Sequence, residues 1–292
     1  MNTSSVICCS PSIFGEAPLF DIEREVAEFI YRHCDKPYVE IEAKLGVLIS
    51  KKTHQRFAKD IPTINSEAVV FSDPSFVHPY HFLTAIPTEV FERINISLNE
   101  RHKQSQVPGY GGSPIHVRQF IERDWIFGKG EKVRASVDSG GNIIKCIKKV
   151  RVEDLNFVSK HHGLDWRLSA SLEEPCAHPN LDNIREERRK HRISYFFELW
   201  RFDLTRVEIF KNEELQDTTY QVELEIRDIQ SFVKRKAEIS AKVTHEHDDP
   251  PLHLVSWTSF LGGTSLTDLT RAFVNNVRGC ISLGGHPDEE EF

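Results

Sequence analysis

Two short segments at opposite ends of the 292-residue chain carry paired acids at strand spacing, Glu40-Ile41-Glu42 and Glu223-Leu224-Glu225. Side chains alternate across a strand. In an extended Val39–Val47, one face therefore holds Glu40, Glu42, Lys44 and Gly46, and the other holds Val39, Ile41, Ala43, Leu45 and Val47. In Tyr220–Ile226, Gln221, Glu223 and Glu225 share a face opposite Val222, Leu224 and Ile226. Carboxylates two positions apart on a strand stand about 7 Å apart at the backbone. Such pairs suit a hard, near-octahedral cation, Mg²⁺ or Mn²⁺, held by a few carboxylates, waters and phosphate oxygens.

Basic strand faces lie between the two acidic pairs. Arg188, Lys190 and Arg192 fall on one face if their run is extended, as do Arg201, Asp203 and Thr205 on the next. Lys132 and Arg134 share another, and Arg167, Ser169, Ser171 and Glu173 a further one. A charged strand face is usually a solvated exterior with routine cross-strand Glu–Arg pairs. Its repetition over so many strands points instead to a sheet closed with its polar face inward. A barrel of about eight strands can hold a small ligand, and a lumen of carboxylates and guanidinium groups suits a divalent cation carrying a polyphosphate. Phosphoryl transfer is mostly positioning and charge neutralisation. Arg and Lys clamp phosphates, Arg bidentately, and a carboxylate away from the metal orients the attacking water.

The elements that must position these faces read as an α+β domain. Leu19–Cys34 is an amphipathic helix stopped at Asp35-Lys36-Pro37, and Tyr38–Ile49 is a strand. Residues 51–75 read as loop, Thr88–His102 as helix and Val107–Pro114 as a Gly/Pro-rich turn region. Short β-type runs follow at His116–Phe127, Lys132–Val137, Asn142–Val152, Asp165–Leu172, His191–Val207 and Thr218–Ile226. Helices return at Phe232–Ala241 and Leu266–Val277. Residues 1–18 read as a loose leader and 284–292 as an acidic tail, leaving 19–283 as the catalytic domain.

Composition excludes several classes. The net charge of −7 argues against a general nucleic-acid coater. Six cysteines without a CxxC pair read as free thiols of a reducing compartment. Neither a signal peptide nor a membrane-length apolar run is present, so the expectation is a soluble intracellular protein with no membrane contact. There is no HExxH, His161-His162 and His245/His247 fall in loop-like contexts, and no P-loop occurs. Gly262-Gly263-Thr264 and Gly284-Gly285 read as turns.

Val39-Glu-Ile-Glu-Ala-Lys-Leu-Gly46 resembles the first signature of the triphosphate tunnel metalloenzymes, and most closely that of the fungal mRNA-capping RNA 5′-triphosphatases. Val222-Glu-Leu-Glu-Ile226 is similar to their last signature. Lys132–Ser136, Lys148–Leu155, Arg167–Glu173, Arg188–Arg192 and Arg201–Thr205 resemble the intervening strands in the same order, and Phe273–Arg278 also looks familial. The resemblance implies a closed eight-stranded antiparallel barrel with flanking helices, a nuclear enzyme of cap formation and a homodimer. It implies Glu40, Glu42 and Glu225 as ligands of Mg²⁺ or Mn²⁺. It implies Arg134, Lys190 and Arg192 on the γ-phosphate, and Glu173 on the water. Glu223, Asp203, Lys149, Arg188 and Arg201 complete the wall, the three bases among them extending the phosphate contacts. Asp124 stands where the family has another tunnel acid, and Gln221 where some relatives have a third glutamate. Phase with Arg151 favours Lys149 as the tunnel lysine, whereas a bulge would select Lys148.

The implied reaction converts 5′-triphosphate RNA to 5′-diphosphate RNA, with an mRNA guanylyltransferase or the transcription machinery as partner. Other tunnel-family activities, such as inorganic tripolyphosphatase, thiamine triphosphatase or polyphosphate polymerase, form the alternative. An inactive barrel serving as a scaffold or binding module is the third reading, disfavoured because buried charges without a ligand are costly.

Overall fold

The computed structural model describes residues 21–60, 67–70, 79–128, 133–243 and 265–285. The leader, the acidic tail past 285, Lys132, His245/His247 and Gly262-Gly263 lie outside the described residues. Helix α1 spans Asp21–His33 and strand β1 Val39–Ser50. Two short strands, β2 (Glu67–Val70) and β3 (Tyr80–Leu83), precede helix α2 (Thr88–Ser105). Then come β4 (His116–Phe127), β5 (Val133–Val137), β6 (Ile143–Ser159), β7 (Asp165–Pro175), β8 (Ile184–Phe197), β9 (Trp200–Lys211) and β10 (Glu214–Ile226). Helices α3 (Ile229–Val243) and α4 (Leu266–Ile281) complete the described chain.

Eight strands close into a barrel in the order β10-β9-β8-β4-β5-β6-β7-β1, with β1 returning to β10. Every pairing is antiparallel. Closure is made by Glu42 opposite Glu225 and Lys44 opposite Glu223, so the two acidic segments meet on neighbouring strands. The barrel is turned inside out relative to a strand bundle with an oily centre. Ile41, Ala43, Leu45 and Val47 of β1, Phe202 and Leu204 of β9, and Val222, Leu224 and Ile226 of β10 point outward into the apolar core. Helices cover that outer face. Val26, Phe29 and Ile30 on one side of α1, Val90 and Ile94 of α2, Phe232 of α3, and Phe273, Val274 and Val277 of α4 are buried against it. Ser265 and Asp268 form a reciprocal capping box that fixes where α4 begins. No described helix is long and apolar enough to cross a membrane.

Three expectations need correction. The single run His191–Val207 is two strands, because Glu198 takes a left-handed φ of 50° and reverses the chain between β8 and β9. No glycine or asparagine marks that turn, so the usual hairpin signal is missing. Residues 51–75 are not all loop, since four of them form β2 on β6, and the Trp166 indole of β7 donates to Glu67 of β2. Asn142–Val152 continues to Ser159, because a bulge between Arg151 and Glu153 breaks the alternation without ending the strand.

Gly46 sits where β3 crosses β1. A Cβ at Gly46 would lie 2.1 Å from the Leu83 backbone oxygen. Backbone cannot swing away as a side-chain tip can, so Gly46→Ala is expected to destabilise the fold by about 3 kcal/mol. Urea unfolding of the two proteins checks this, and an unchanged midpoint would refute it.

Candidate functional site in the barrel lumen

The lumen is a cavity of about 950 Å³ lined by residues from all eight barrel strands. Glu40, Glu42, Arg134, Lys149, Glu173, Arg188, Lys190, Arg192, Arg201, Asp203, Glu223 and Glu225 all face it, as do Asp124 and Gln221. The alternation that sends apolar residues out to the helices sends these inward. Charge is divided between walls. Strands β1 and β10 contribute Glu40, Glu42, Glu223 and Glu225, while β5, β6 and β8 contribute Arg134, Lys149, Lys190 and Arg192.

On the acidic wall, Lys44 lies 2.8 Å from Glu42 and donates to Glu223. Lys149 donates to Glu40 and, at 3.1 Å, to Glu42. Lys149 is thus engaged with the acids, and Lys148 also lines the cavity. The Arg201 guanidinium donates to Glu225 and, through Nε at 3.0 Å, to Asp203. These carboxylates do not ionise alike. Burial raises the Glu223 pKa, but the Lys44 ammonium, its hydrogen bond and Arg192 overcome this and hold Glu223 at about 2. Burial comes first in pushing Glu225 up to about 7. Repulsion from Glu40, Asp203 and Glu42 adds to it, against the pull of Arg201. Glu42 is shifted upward by burial, with Glu223 and Glu40 opposing its charge despite Lys44 and Lys149.

On the basic wall, burial lowers the Lys190 pKa against the pull of Asp124, whose carboxylate accepts a hydrogen bond from Lys190 at 2.5 Å. Ser136 donates to the same Asp124 at 2.7 Å. Arg192 donates to Thr205 at 3.2 Å and lies 3.4 Å from Asp203, which also accepts from Ser194 at 2.6 Å. Arg134 donates through Nη2 to Glu173 at 2.9 Å, while its Nε is buried with no hydrogen-bond partner among the described residues. Arg188 pairs with Glu186 at 2.8 Å and is the most exposed of these cations, 41% at the side chain.

Lys44, Glu122 and Lys145 are among the charged lining residues that the sequence reading did not name as site members. Lys44 was in phase with Glu40 and Glu42, and that phase was the available signal. Glu122 is in phase with Asp124, and Lys145 with Lys149. Lys145 approaches Glu173 at 3.6 Å.

The donor set fits a divalent cation in type and placement. Burial first, and neighbouring negative charge after it, shift Glu42, Asp203 and Glu225 above the ordinary carboxylate range, which a cation would relieve. Among the described residues, however, no three acidic, histidine or cysteine side chains converge closely enough to hold an ion as they stand. Lys149 and Arg201 occupy the carboxylates instead. The Arg134 Nε on the opposite wall, 4.0 Å from Asp124 and without a hydrogen bond among the described residues, fits an anion.

Residues 17–250 match the profile of the family described as mRNA capping enzyme, beta chain. The mRNA-capping enzyme subunit beta of Schizosaccharomyces pombe is 30% identical over 195 residues, covering 65% of this chain and 61% of that one. Its counterpart in Candida albicans is 30% identical over 236 residues, covering 73% of this chain and 43% of that one. The chain thus spans about half the length of these curated relatives. The structure of S. pombe Pct1 RNA triphosphatase superposes with a TM-score of 0.76 at 22% identity, over 95% of this chain and 99% of that one. The same protein in complex with the Spt5 CTD gives 0.75. That likeness establishes the eight-stranded tunnel fold.

Proposed function

Given that the chain belongs to the family of mRNA capping enzyme beta chains, we propose that it is a metal-dependent RNA 5′-triphosphatase that removes the γ-phosphate of 5′-triphosphate RNA. The product is 5′-diphosphate RNA, and the step is the first of cap formation. The observation that carries this reading is the lumen itself, where an acidic wall faces a basic wall whose Arg134 Nε is buried, 4.0 Å from Asp124, with no hydrogen-bond partner among the described residues.

Glu40, Glu42 and Glu225 would hold Mg²⁺ or Mn²⁺, and the bound ion would neutralise phosphate oxygens as charge shifts during the transfer. The chain's own residues do the rest. Arg134, Lys190 and Arg192 clamp the γ-phosphate from the opposite wall. Asp124 and Asp203 hold the side chains of Lys190 and Arg192 in place. Lys149, donating to Glu40 and Glu42, joins the two walls. Arg201 and Arg188 extend the positive surface beside them. Glu173 accepts a proton from the attacking water and orients it towards phosphorus. Glu223, held ionised by Lys44, keeps the acidic wall charged over the working pH range.

No aromatic side chain is among the described residues lining the cavity, so recognition rests on the phosphates, and RNA beyond them is met through backbone charge at the mouth. That feature also favours a second reading, inorganic tripolyphosphatase. Incubating the protein with γ-labelled triphosphate RNA and with tripolyphosphate, in Mg²⁺ or Mn²⁺, separates them. Release of label from RNA is expected. Hydrolysis of tripolyphosphate alone selects the second reading, and no hydrolysis of either leaves a binding scaffold. Arg192→Ala is expected to lower kcat about a hundredfold while the protein stays folded, and wild-type turnover would remove Arg192 from the clamp.

The family reading also supports a nuclear homodimer that meets a guanylyltransferase or the transcription machinery. The capping-subunit names of the relatives and the Spt5 CTD bound to Pct1 support the partner class. Sedimentation of the purified protein and cell fractionation test the assembly and the compartment.

A further inference from the structure

The geometry points to Cys146 and Cys176 as a modification site of their own, a dithiol on the outer barrel wall that closes reversibly to a disulfide when met by a peroxide. Their sulfurs lie 3.2 Å apart. The approach is built by the backbone rather than by loose side chains. Ile147 of β6 is paired with Pro175 of β7. The next step of the ladder brings the Cys176 N–H to the Cys146 carbonyl at 3.2 Å. The two cysteines are thus cross-strand neighbours, and closing the pair requires the sulfurs to come from 3.2 Å to about 2.05 Å.

The surroundings separate the two thiols. Cys146 is buried with Phe127 and Ala135 beneath Trp125 and Val133, and its thiol also lies 3.5 Å from the Ala177 carbonyl. Cys176 is only half-buried, so it is the sulfur that solvent reaches first. Burial, followed by the neighbouring Cys176, pushes the Cys146 thiol up to about 12, which makes it a poor first nucleophile and a resolving partner. By contrast, Cys34 and Cys280 lie in the main apolar core.

The chemistry balances with the peroxide as oxidant. The Cys176 thiolate attacks a peroxide oxygen, the O–O bond breaks, and a sulfenic acid and hydroxide form; the hydroxide takes up the thiol proton as water. The Cys146 sulfur then displaces the hydroxyl from Cys176, forming S–S and breaking S–O. Its proton leaves with that hydroxyl as a second water. Two electrons pass from the thiols to the peroxide. The cross-link ties the ends of β6 and β7, the strands that carry Lys145, Lys149 and Glu173. It closes a loop of 30 residues, so it stabilises by limiting the unfolded chain.

The test is peroxide treatment of the reduced full chain carrying Cys8→Ser and Cys9→Ser, followed by alkylation and non-reducing peptide mass spectrometry. A peptide linking Cys146 to Cys176, lost on dithiothreitol, is expected. Oxidation should raise Tm by about 5 °C, and Cys176→Ser should abolish both the linked peptide and the shift. Cys146→Ala provides a second variant with the same expected loss. Sulfinic acid at Cys176 without the cross-link, linkage of either cysteine to Cys34 or Cys280, or both thiols remaining free would overturn the assignment. Both readouts are independent of hydrolytic activity.

Discussion

Glu173→Gln is expected to fold with a melting temperature close to wild type and to release phosphate from triphosphate RNA about a thousandfold more slowly. The side chain sits near the end of β7, opposite Lys149 in the strand register. Its Oε1 accepts from Arg134 at 2.9 Å, and Oε2 lies 3.6 Å from Lys145. It faces the lumen from the strand between the basic wall and β1, the position from which a carboxylate can reach a water beside a clamped phosphate. Glutamine keeps the shape and can still accept from Arg134, so packing is preserved. What it loses is the negative charge and the ability to take a proton from water, and general-base contributions run from about a hundred- to ten-thousandfold. Steady-state kinetics check the role. A fall in kcat with KM nearly unchanged assigns Glu173 to the chemical step. A rise in KM with intact kcat would make it a positioning residue for Arg134, and unchanged kinetics would remove it from the site.

Much of this lumen was legible because β1 and β10 alternate strictly near their acids. Glu40/Glu42 and Glu223/Glu225 could be assigned to one face each without knowing where the strands lie. Their meeting was not legible from either segment alone. Lys44 bonds Glu223 across 179 residues of sequence, and a contact of that separation depends on which strands meet when the barrel closes, a register that the repeated charged faces alone do not specify. The lysine on β6 was ambiguous because a bulge would shift phase by one residue. The bulge in fact follows Arg151, so Lys145, Lys149 and Arg151 keep a common face. The β8–β9 boundary was hidden for a different reason. Glu198 adopts positive φ without being glycine or asparagine, so neighbouring strands impose the turn that local chemistry does not announce. The four-residue β2 survives only because β6 offers it a paired edge, and no window of sequence contains that edge.

Glu42→Ala is expected to abolish turnover, by at least about a thousandfold, and to abolish saturable Mn²⁺ binding as well. Glu42 is 4% exposed, and its backbone lies directly opposite Glu225 at the seam that closes the barrel. Of the three proposed ligands it is the one both strands bring to the centre, with Glu40 two residues away on its own face. Lys44 at 2.8 Å and Lys149 at 3.1 Å attend it, yet burial and the charges of Glu223 and Glu40 still raise its pKa. Burial, the first cause of that shift, makes the charge costly to keep in the lumen, so removing it is expected to cost the fold little. Lys44 keeps Glu223, and Lys149 keeps Glu40. The substitution thus separates stability from function, because wild-type unfolding should accompany lost metal binding. Titration of Mn²⁺ by electron paramagnetic resonance, without substrate, reads the metal site apart from catalysis. Glu42→Gln supplies one neutral oxygen in place of the carboxylate and should recover little of either property. If Glu42→Ala binds Mn²⁺ as tightly as wild type, the acidic wall is not the metal site, and its charges serve only to balance Lys44 and Lys149.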